Sequence, residues 1–237
     1  MTAAVALRNE IDFTEPAPQS RAEALARYRR WREIGKRHHH GAIKFLSGDA
    51  IVESARRLGL VQGEQIVLDN EDELTLVSDL AIHTAPPGRS RAIDRYANAV
   101  RPAIGSEEAT VLAAMQNARF GILVSPRKHP AAGLILTDFI RKTEVWLMDE
   151  GLEASLPEGA ALATRYFTTE PFVMTAGVAL PMSLRSALAV FAAAPQLGRK
   201  APIEAIQDRR FAEAAYRAAI EDGTLENLRF RDPGDEA

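Results

Sequence analysis

The spacing of apolar residues along this chain changes from a helical to a strand-like period and back again. Up to about residue 117, apolar residues recur at intervals of three and four, which places them on one face of a helix. Between Ala118 and Pro181 they alternate with polar residues over short runs separated by turn residues, as in β-strands. This order predicts an α+β protein: N-terminal helices packed on a small antiparallel β-barrel or curled sheet, followed by C-terminal helices.

The helical region, residues 20–117, has capping residues where the predicted helices begin. Ser20 precedes a helix that carries Tyr28 and Trp31 on its apolar face and arginines on the other. Three further capping residues precede three more helices: Ser47, Asn70 and Ser106. Another helix around Ile93 is ended by the proline that follows Arg101.

The strand-like region, residues 118–181, contains five runs of strand character. They are Phe120–Val124, Leu134–Thr137, Val145–Met148, Ala161–Phe167 and Phe172–Val178. Five strands in so short a segment favour a small barrel over a flat open sheet. We also expect a loop over Pro126–Gly133 and a hairpin turn at Asp149–Gly151, because proline, aspartate and glycine favour turns.

These regions divide the chain into four segments of one compact body. Residues 1–19 form a flexible N-terminal arm, residues 20–117 the helical region and residues 118–181 the barrel-like region. Residues 182–237 form the C-terminal helices, one starting at Ser183 and one near Pro202, and an acidic tail.

Composition narrows the classes of function. The chain has a formal net charge of −3, which gives no whole-surface attraction to a polyanion. It contains no cysteine, so disulfides, thiolate zinc sites and iron–sulfur clusters are excluded. There is no secretory signal pattern and no apolar run of membrane-spanning length. We therefore expect a cytoplasmic protein with no membrane partner.

The helix that follows Ser20 is the strongest interaction feature. Residues 20–45 contain eight arginine and lysine residues against two glutamates, a local charge of +6. Such a stripe is able to neutralise phosphates of a nucleic acid. The residues that we assign to this surface are Arg29, Arg30, Arg32, Lys36 and Arg37. The alternative is that they pair with acidic residues of the same chain, such as those at Glu71–Glu73 or in the acidic C-terminal region.

Histidines provide the candidate metal ligands: His38, His39 and His40 are consecutive. Imidazole is a common ligand of transition metals. Consecutive helical residues point about 100° apart, however, so one helix does not direct all three at a single ion. His83 lies among apolar helix residues and is expected to be a core or interface histidine with its hydrogen bonds satisfied, whereas His129 lies in a loop and is expected to be exposed.

The barrel-like region contains few candidate binding or catalytic residues. Its six basic and seven acidic residues nearly cancel, and its aromatic residues stand at alternating positions that favour core packing over base stacking. Elsewhere the chain lacks the GxxxxGK[ST] loop, the GxGxxG turn, the GxSxG elbow and the kinase signatures. These absences predict no cofactor and favour a protein that is not an enzyme.

The middle of the chain resembles the middle region of uncharacterised bacterial proteins associated with the SEC-C motif. The resemblance covers residues 90–180, approximately, and its motif residues here are Ala118, Arg119 and Phe120, then Gly133, Leu136 and Asp138, then Gly159 and Arg165. The cysteine-rich zinc motif of that family is absent, so its metal or docking role does not carry over.

Together these features favour an uncharacterised bacterial-type cytoplasmic protein that acts as a non-catalytic interaction or regulatory module. Its partner would be another protein or a second copy of the chain. Two alternatives stay open: an accessory nucleic-acid-binding protein that uses the basic helix, and a metal-dependent hydrolase that uses histidines and carboxylates.

Overall fold

A computed structural model describes residues 20–183, 185–186, 189–190, 197 and 199–221. The elements in chain order are α1 (Arg21–Ile43), α2 (Gly48–Leu58), β1 (Val61–Gln62), β2 (Gln65–Ile66), α3 (Glu71–His83), α4 (Ala92–Val100), α5 (Glu107–Gln116), β3 (Arg119–Lys128), β4 (Leu134–Asp138), β5 (Thr143–Leu147), α6 (Glu150–Ser155), β6 (Ala161–Thr169), β7 (Phe172–Met182), α7 (Pro202–Gln207) and α8 (Arg209–Glu221). The predicted α+β class is confirmed. The predicted arm, most of the helix expected after Ser183 and the acidic tail lie outside the described residues.

Side-chain caps fix where the N-terminal helices begin. Ser20 and Glu23 form a capping box at the start of α1, in which each side chain bonds the other residue's backbone N–H. The predicted capping residues Ser47, Asn70 and Ser106 each accept a hydrogen bond from the backbone three residues on. Helix α2 ends at Gly59, whose left-handed φ of 80° suits glycine. These local signals explain why the helical boundaries were predictable.

The five long strands close into a barrel in the order β3-β4-β5-β7-β6. Four of the five strand pairs are antiparallel, as predicted. The pair β5 and β7 is parallel, through Leu147 and Val173, so the barrel is mixed. A parallel pair needs a crossover connection, and α6 lies within it.

Two local predictions within the barrel were wrong. Asp149 does not start a hairpin turn but caps α6, because its carboxylate accepts a hydrogen bond from the Leu152 N–H. Aspartate favours turns and helix N-caps through the same bond, so the residue alone does not distinguish them. Strand β3 also extends to Lys128: Ser125 has a φ of 56°, and an irregularity between Val124 and Arg127 accommodates the proline there.

Three apolar clusters organise the packing. The first fills the barrel, with Leu136, Leu147 and Tyr166 at its centre. The second joins the outer face of β3 and β6 to α2, α3 and α8, where Phe120 meets Phe211 and Tyr216 edge to face. The third joins another part of the outer face to α1, α4 and α5. Helices therefore flank the barrel on two sides. Among the described residues, no helix combines the length and apolar character needed to span a membrane.

A candidate anion-binding cavity

A buried polar cluster joins α3, β6 and α8. Asp79 on α3 is 2% exposed. It accepts hydrogen bonds from the Arg165 Nε at 2.8 Å and 3.0 Å and from the Tyr216 hydroxyl at 2.7 Å. Burial alone would raise the pKa of Asp79, but the Arg165 guanidinium opposite outweighs it and lowers that pKa. The cluster therefore holds Arg165 in place with its charge matched.

His83 lies one helical turn after Asp79 on the same helix. It is 5% exposed, and neither of its ring nitrogens has a hydrogen-bond partner among the described residues. Burial, reinforced by the positive charge of Arg165, lowers the pKa of His83 to about 3. The imidazole is therefore neutral near pH 7, with one nitrogen able to donate and the other able to accept. The expected burial is confirmed, and no described residue satisfies the hydrogen bonds of the imidazole.

His83 lines a cavity of about 490 Å³ between the end of α3, the outer face of the barrel and the start of α8. The lining includes six arginines: Arg89, Arg91, Arg119, Arg141, Arg165 and Arg209. Its carboxylates belong to Asp94 and Asp208. We refer to this space as the arginine-lined cavity.

Three of these arginines are paired with carboxylates and three are not. Arg165 pairs with Asp79, Arg141 with Asp138 at 2.7 Å and Arg91 with Asp94 at 2.7 Å. The other three, within the described ranges, have no carboxylate partner: Arg89, Arg119 and Arg209.

The unpaired arginines leave the cavity positively charged. Arg209 donates to the Ala85 carbonyl at 3.3 Å, and the Arg119 guanidinium lies 5.1 Å from the centre of the Tyr166 ring. The Asp208 carboxylate is already bound by Lys200 and Arg210, both at 2.7 Å. Guanidinium groups with free N–H donors bind carboxylates and phosphates in a planar, bidentate geometry. The arrangement is suited to an anionic ligand.

The basic residues of α1 that we assigned to a nucleic-acid-binding surface lie outside the arginine-lined cavity. Arg29 pairs with Glu150 at 2.7 Å, Arg30 with Glu107 at 2.7 Å and Lys36 with Glu33 at 2.8 Å. Arg37 lies 3.6 Å from the Glu108 carboxylate, and Arg32 donates to the Thr175 carbonyl at 3.1 Å. The carboxylate partners come from α1 itself, α5 and α6 rather than from Glu71–Glu73.

The three consecutive histidines point in different directions. His38 is buried, with its Nδ1 3.0 Å from the Tyr96 hydroxyl and its Nε2 2.9 Å from the Glu108 carbonyl. His39 is half-buried and His40 is exposed, and both border a smaller pocket between α1 and β7. Among the described residues, no group of three or more histidine, aspartate or glutamate side chains is arranged to hold a metal ion.

Helix α1 contacts one part of the barrel and its loops. Here Arg21 donates to the Ala131 carbonyl in the loop after β3, and Trp31 packs 5.5 Å from Phe172 at the start of β7. His129, which was expected to be exposed, is half-buried and stacks on Trp146 at 3.8 Å.

Sequence reasoning missed the arginine-lined cavity because its arginines come from distant segments. Each stands in a short local context that looks ordinary, and only the fold brings them together. One signal was present: Ala118, Arg119, Phe120 and Arg165, which belong to the resemblance described above, all line the cavity.

Comparison with protein-family models places the chain in a family. The sequence model of a family of unknown function (DUF7986) matches residues 22–228, a span that includes the whole lining of the arginine-lined cavity. No curated protein and no solved structure matches the chain. The resemblance to SEC-C-associated proteins is not tested by this match and stays a prediction.

Proposed function

We propose that this chain, which belongs to the DUF7986 family of unknown function, is a non-catalytic interaction or regulatory protein that binds a polyanionic small molecule in the arginine-lined cavity. One observation carries the proposal: a buried, neutral histidine with two unused ring nitrogens lines a cavity that is rich in arginine. Buried polar groups are nearly always hydrogen-bonded to protein or to ordered water, so the ring nitrogens of His83 require a polar partner, which a water molecule or a polar group of a ligand would supply.

Charge and size indicate the class of ligand. The arginines without carboxylate partners favour an anion with more than one negative charge, since each guanidinium binds a separate pair of oxygens. A cavity of about 490 Å³ is in the range that holds small molecules and cofactors. The neutral His83 offers both a donor and an acceptor, which suits a ligand with a hydroxyl group next to its anionic group. A phosphate ester has all of these properties.

The protonation states in the cavity favour binding over catalysis. General acid–base catalysis is most effective when the catalytic pKa lies near the working pH. His83 has a pKa of about 3. Burial would raise the pKa of Asp94, but the hydrogen bond from Arg91 outweighs it, and the hydrogen bond from Arg210 lowers the pKa of Asp208. These carboxylates thus stay ionised near pH 7 and do not exchange protons.

The test is binding of phosphate compounds to purified protein without a tag. We would titrate inorganic phosphate, pyrophosphate, a sugar phosphate and nucleoside mono-, di- and triphosphates by calorimetry, and follow the melting temperature. A binding ligand at one hundred times its Kd would raise the melting temperature on the order of 5–10 °C. The double variant Arg119→Gln/Arg209→Gln should weaken binding by roughly tenfold or more.

The matched control removes the same two charges from α1 through Arg29→Gln/Arg30→Gln. It should bind as the wild type does, because both arginines lie outside the cavity. Equal losses in the two double variants would indicate only a general charge effect. A loss in the control alone would instead place the anion on α1, and absence of binding by every compound would contradict the proposal.

A further inference from the structure

A second, smaller pocket lies between α1 and β7 and shares no lining residue with the arginine-lined cavity. Its volume is about 150 Å³. We refer to it as the α1–β7 pocket. Its lining combines an apolar floor with a basic rim. The floor favours an apolar group of a ligand, and the rim favours a negatively charged group.

The floor is made of Met115, Phe167 and Met174, which are all buried. An apolar cavity of about 150 Å³ in a protein core is large enough to hold a benzene molecule. The floor therefore fits one aromatic ring or one branched aliphatic group. Methionine side chains adapt readily to such a group because their thioethers are flexible and polarisable.

The rim carries two cationic side chains, Arg32 and Lys36, and two histidines, His39 and His40, and the lining has no acidic residue. Burial lowers the pKa of His39, so its imidazole is neutral near pH 7. Arg32 uses one terminal nitrogen to donate to the Thr175 carbonyl and hydroxyl, at 3.1 Å and 3.2 Å. Lys36 pairs with Glu33, but both side chains are more than half exposed, and such surface pairs are weak. The mouth of the pocket therefore favours a negatively charged group.

Two glycines leave the pocket open. A Cβ atom at Gly35 would lie 4.0 Å from the Phe167 ring, and one at Gly177 would lie 4.0 Å from the His39 ring. Gly177 has a φ of 130°, a backbone conformation that favours glycine whatever space surrounds it. Gly35 lies inside α1, where glycine is a poor helix former. A longer side chain at this position would extend towards the floor.

We infer that the α1–β7 pocket binds a small carboxylate with one aromatic or branched aliphatic group, the apolar group on the methionine floor and the carboxylate at the basic rim. This site shares no lining residue with the arginine-lined cavity. It would allow the protein to recognise a second ligand of different chemistry, apolar and singly charged rather than polyanionic.

Methionine-methyl NMR tests the site directly on the full chain. The chain has five methionines, and two of them line the pocket. We would titrate benzoate, phenylacetate and isovalerate against protein labelled at the methionine methyl groups. Binding should shift the Met115 and Met174 signals and leave Met148, which is outside the pocket lining, unchanged. The neutral amides of the same three acids should bind at least about tenfold more weakly.

Two variants at Gly35 test whether the ligand binds inside the α1–β7 pocket. Gly35→Leu should fill the pocket and weaken binding at least about tenfold, since leucine reaches the space that the ligand needs. Gly35→Ala, with one methyl group, should bind within about threefold of the wild type. The Met148 signal reports whether each variant is folded.

Three results would overturn the inference. They are no shift of Met115 and Met174 with any acid in the wild type, equal affinity for acids and amides, and undiminished binding by a folded Gly35→Leu variant.

Discussion

His83 has an imidazole that is buried, neutral and without a hydrogen-bond partner among the described residues, and this combination is costly in a folded protein. An unsatisfied buried polar group lowers the free energy of unfolding by about 1–3 kcal/mol. Such costs are concentrated at functional sites, where binding is selected at the expense of stability. His83 is therefore the residue at which stability and ligand binding should respond in opposite directions.

The substitution His83→Leu should make the protein more stable and a weaker binder. Leucine removes the unsatisfied nitrogens, so the free energy of unfolding in urea should rise by about 1–3 kcal/mol. The loss of one neutral hydrogen bond should weaken phosphate-ester binding by about three- to tenfold. The Gln62→Leu variant, at an exposed position outside both pockets, is the control and should change neither quantity. A destabilised His83→Leu protein with unchanged affinity would show that the histidine is only a packing element.

The lowered pKa of His83 also predicts how stability depends on pH. In the unfolded chain a histidine titrates near pH 6.5, whereas the folded pKa is about 3. Between these values the unfolded state binds more protons, so the free energy of unfolding should fall as the pH decreases from 6.5 towards 3.

The contribution of His83 to this slope reaches about 1.4 kcal/mol per pH unit. Urea unfolding of the wild type and of His83→Leu at pH 7, 6 and 5 measures it, because other titrating groups affect both proteins alike. Parallel pH profiles in the two proteins would contradict the assignment.

Among the elements, helix α1 contains two glycines that differ in how closely other side chains pack against them. Gly41 lies against the ring of Tyr96, and a Cβ atom there would collide with that ring. Gly35 lies at the α1–β7 pocket, where a Cβ atom meets only the Phe167 ring, at 4.0 Å. One helix thus has a glycine that close packing requires and a glycine that packing does not require.

Substituting each glycine by alanine should therefore have opposite effects on stability. Gly35→Ala should raise the free energy of unfolding by about 0.5–1 kcal/mol, because alanine is the better helix former. Gly41→Ala should lower it by about 1–3 kcal/mol, because the added methyl group forces Tyr96 away and disturbs its contact with His38. Thermal and urea unfolding compare the two variants, and the same sign for both would contradict this view of the helix.

Element by element, local chemistry decided what the sequence could predict. Ser20, Ser47, Asn70 and Ser106 cap helices through bonds to residues three positions away, so the signal and the structure lie in the same few residues. Asp149 is equally typical of a turn and of a helix N-cap, and in the structure it caps α6.

At the level of the whole molecule, the α+β class and the position of the barrel followed from periodicity, but its parallel strand pair did not. The pairing of Leu147 with Val173 follows from the connection through α6 and β6, which strand periodicity does not reveal. The arginine-lined cavity depends in the same way on three separate elements that meet at Asp79, Arg165 and Tyr216. Long-range contacts of this kind are set by the fold and not by any segment.

Strand β6 contributes a residue to each of the two binding sites. Arg165 faces the arginine-lined cavity, and Phe167, two residues on, forms part of the floor of the α1–β7 pocket, whereas Tyr166 between them points into the barrel. Because side chains alternate along a strand, a slip of β6 by one residue would withdraw both from their sites at once and turn the tyrosine outwards. The alignment of this single strand with its neighbours is therefore a shared requirement, and a fault in its folding would disable both sites together.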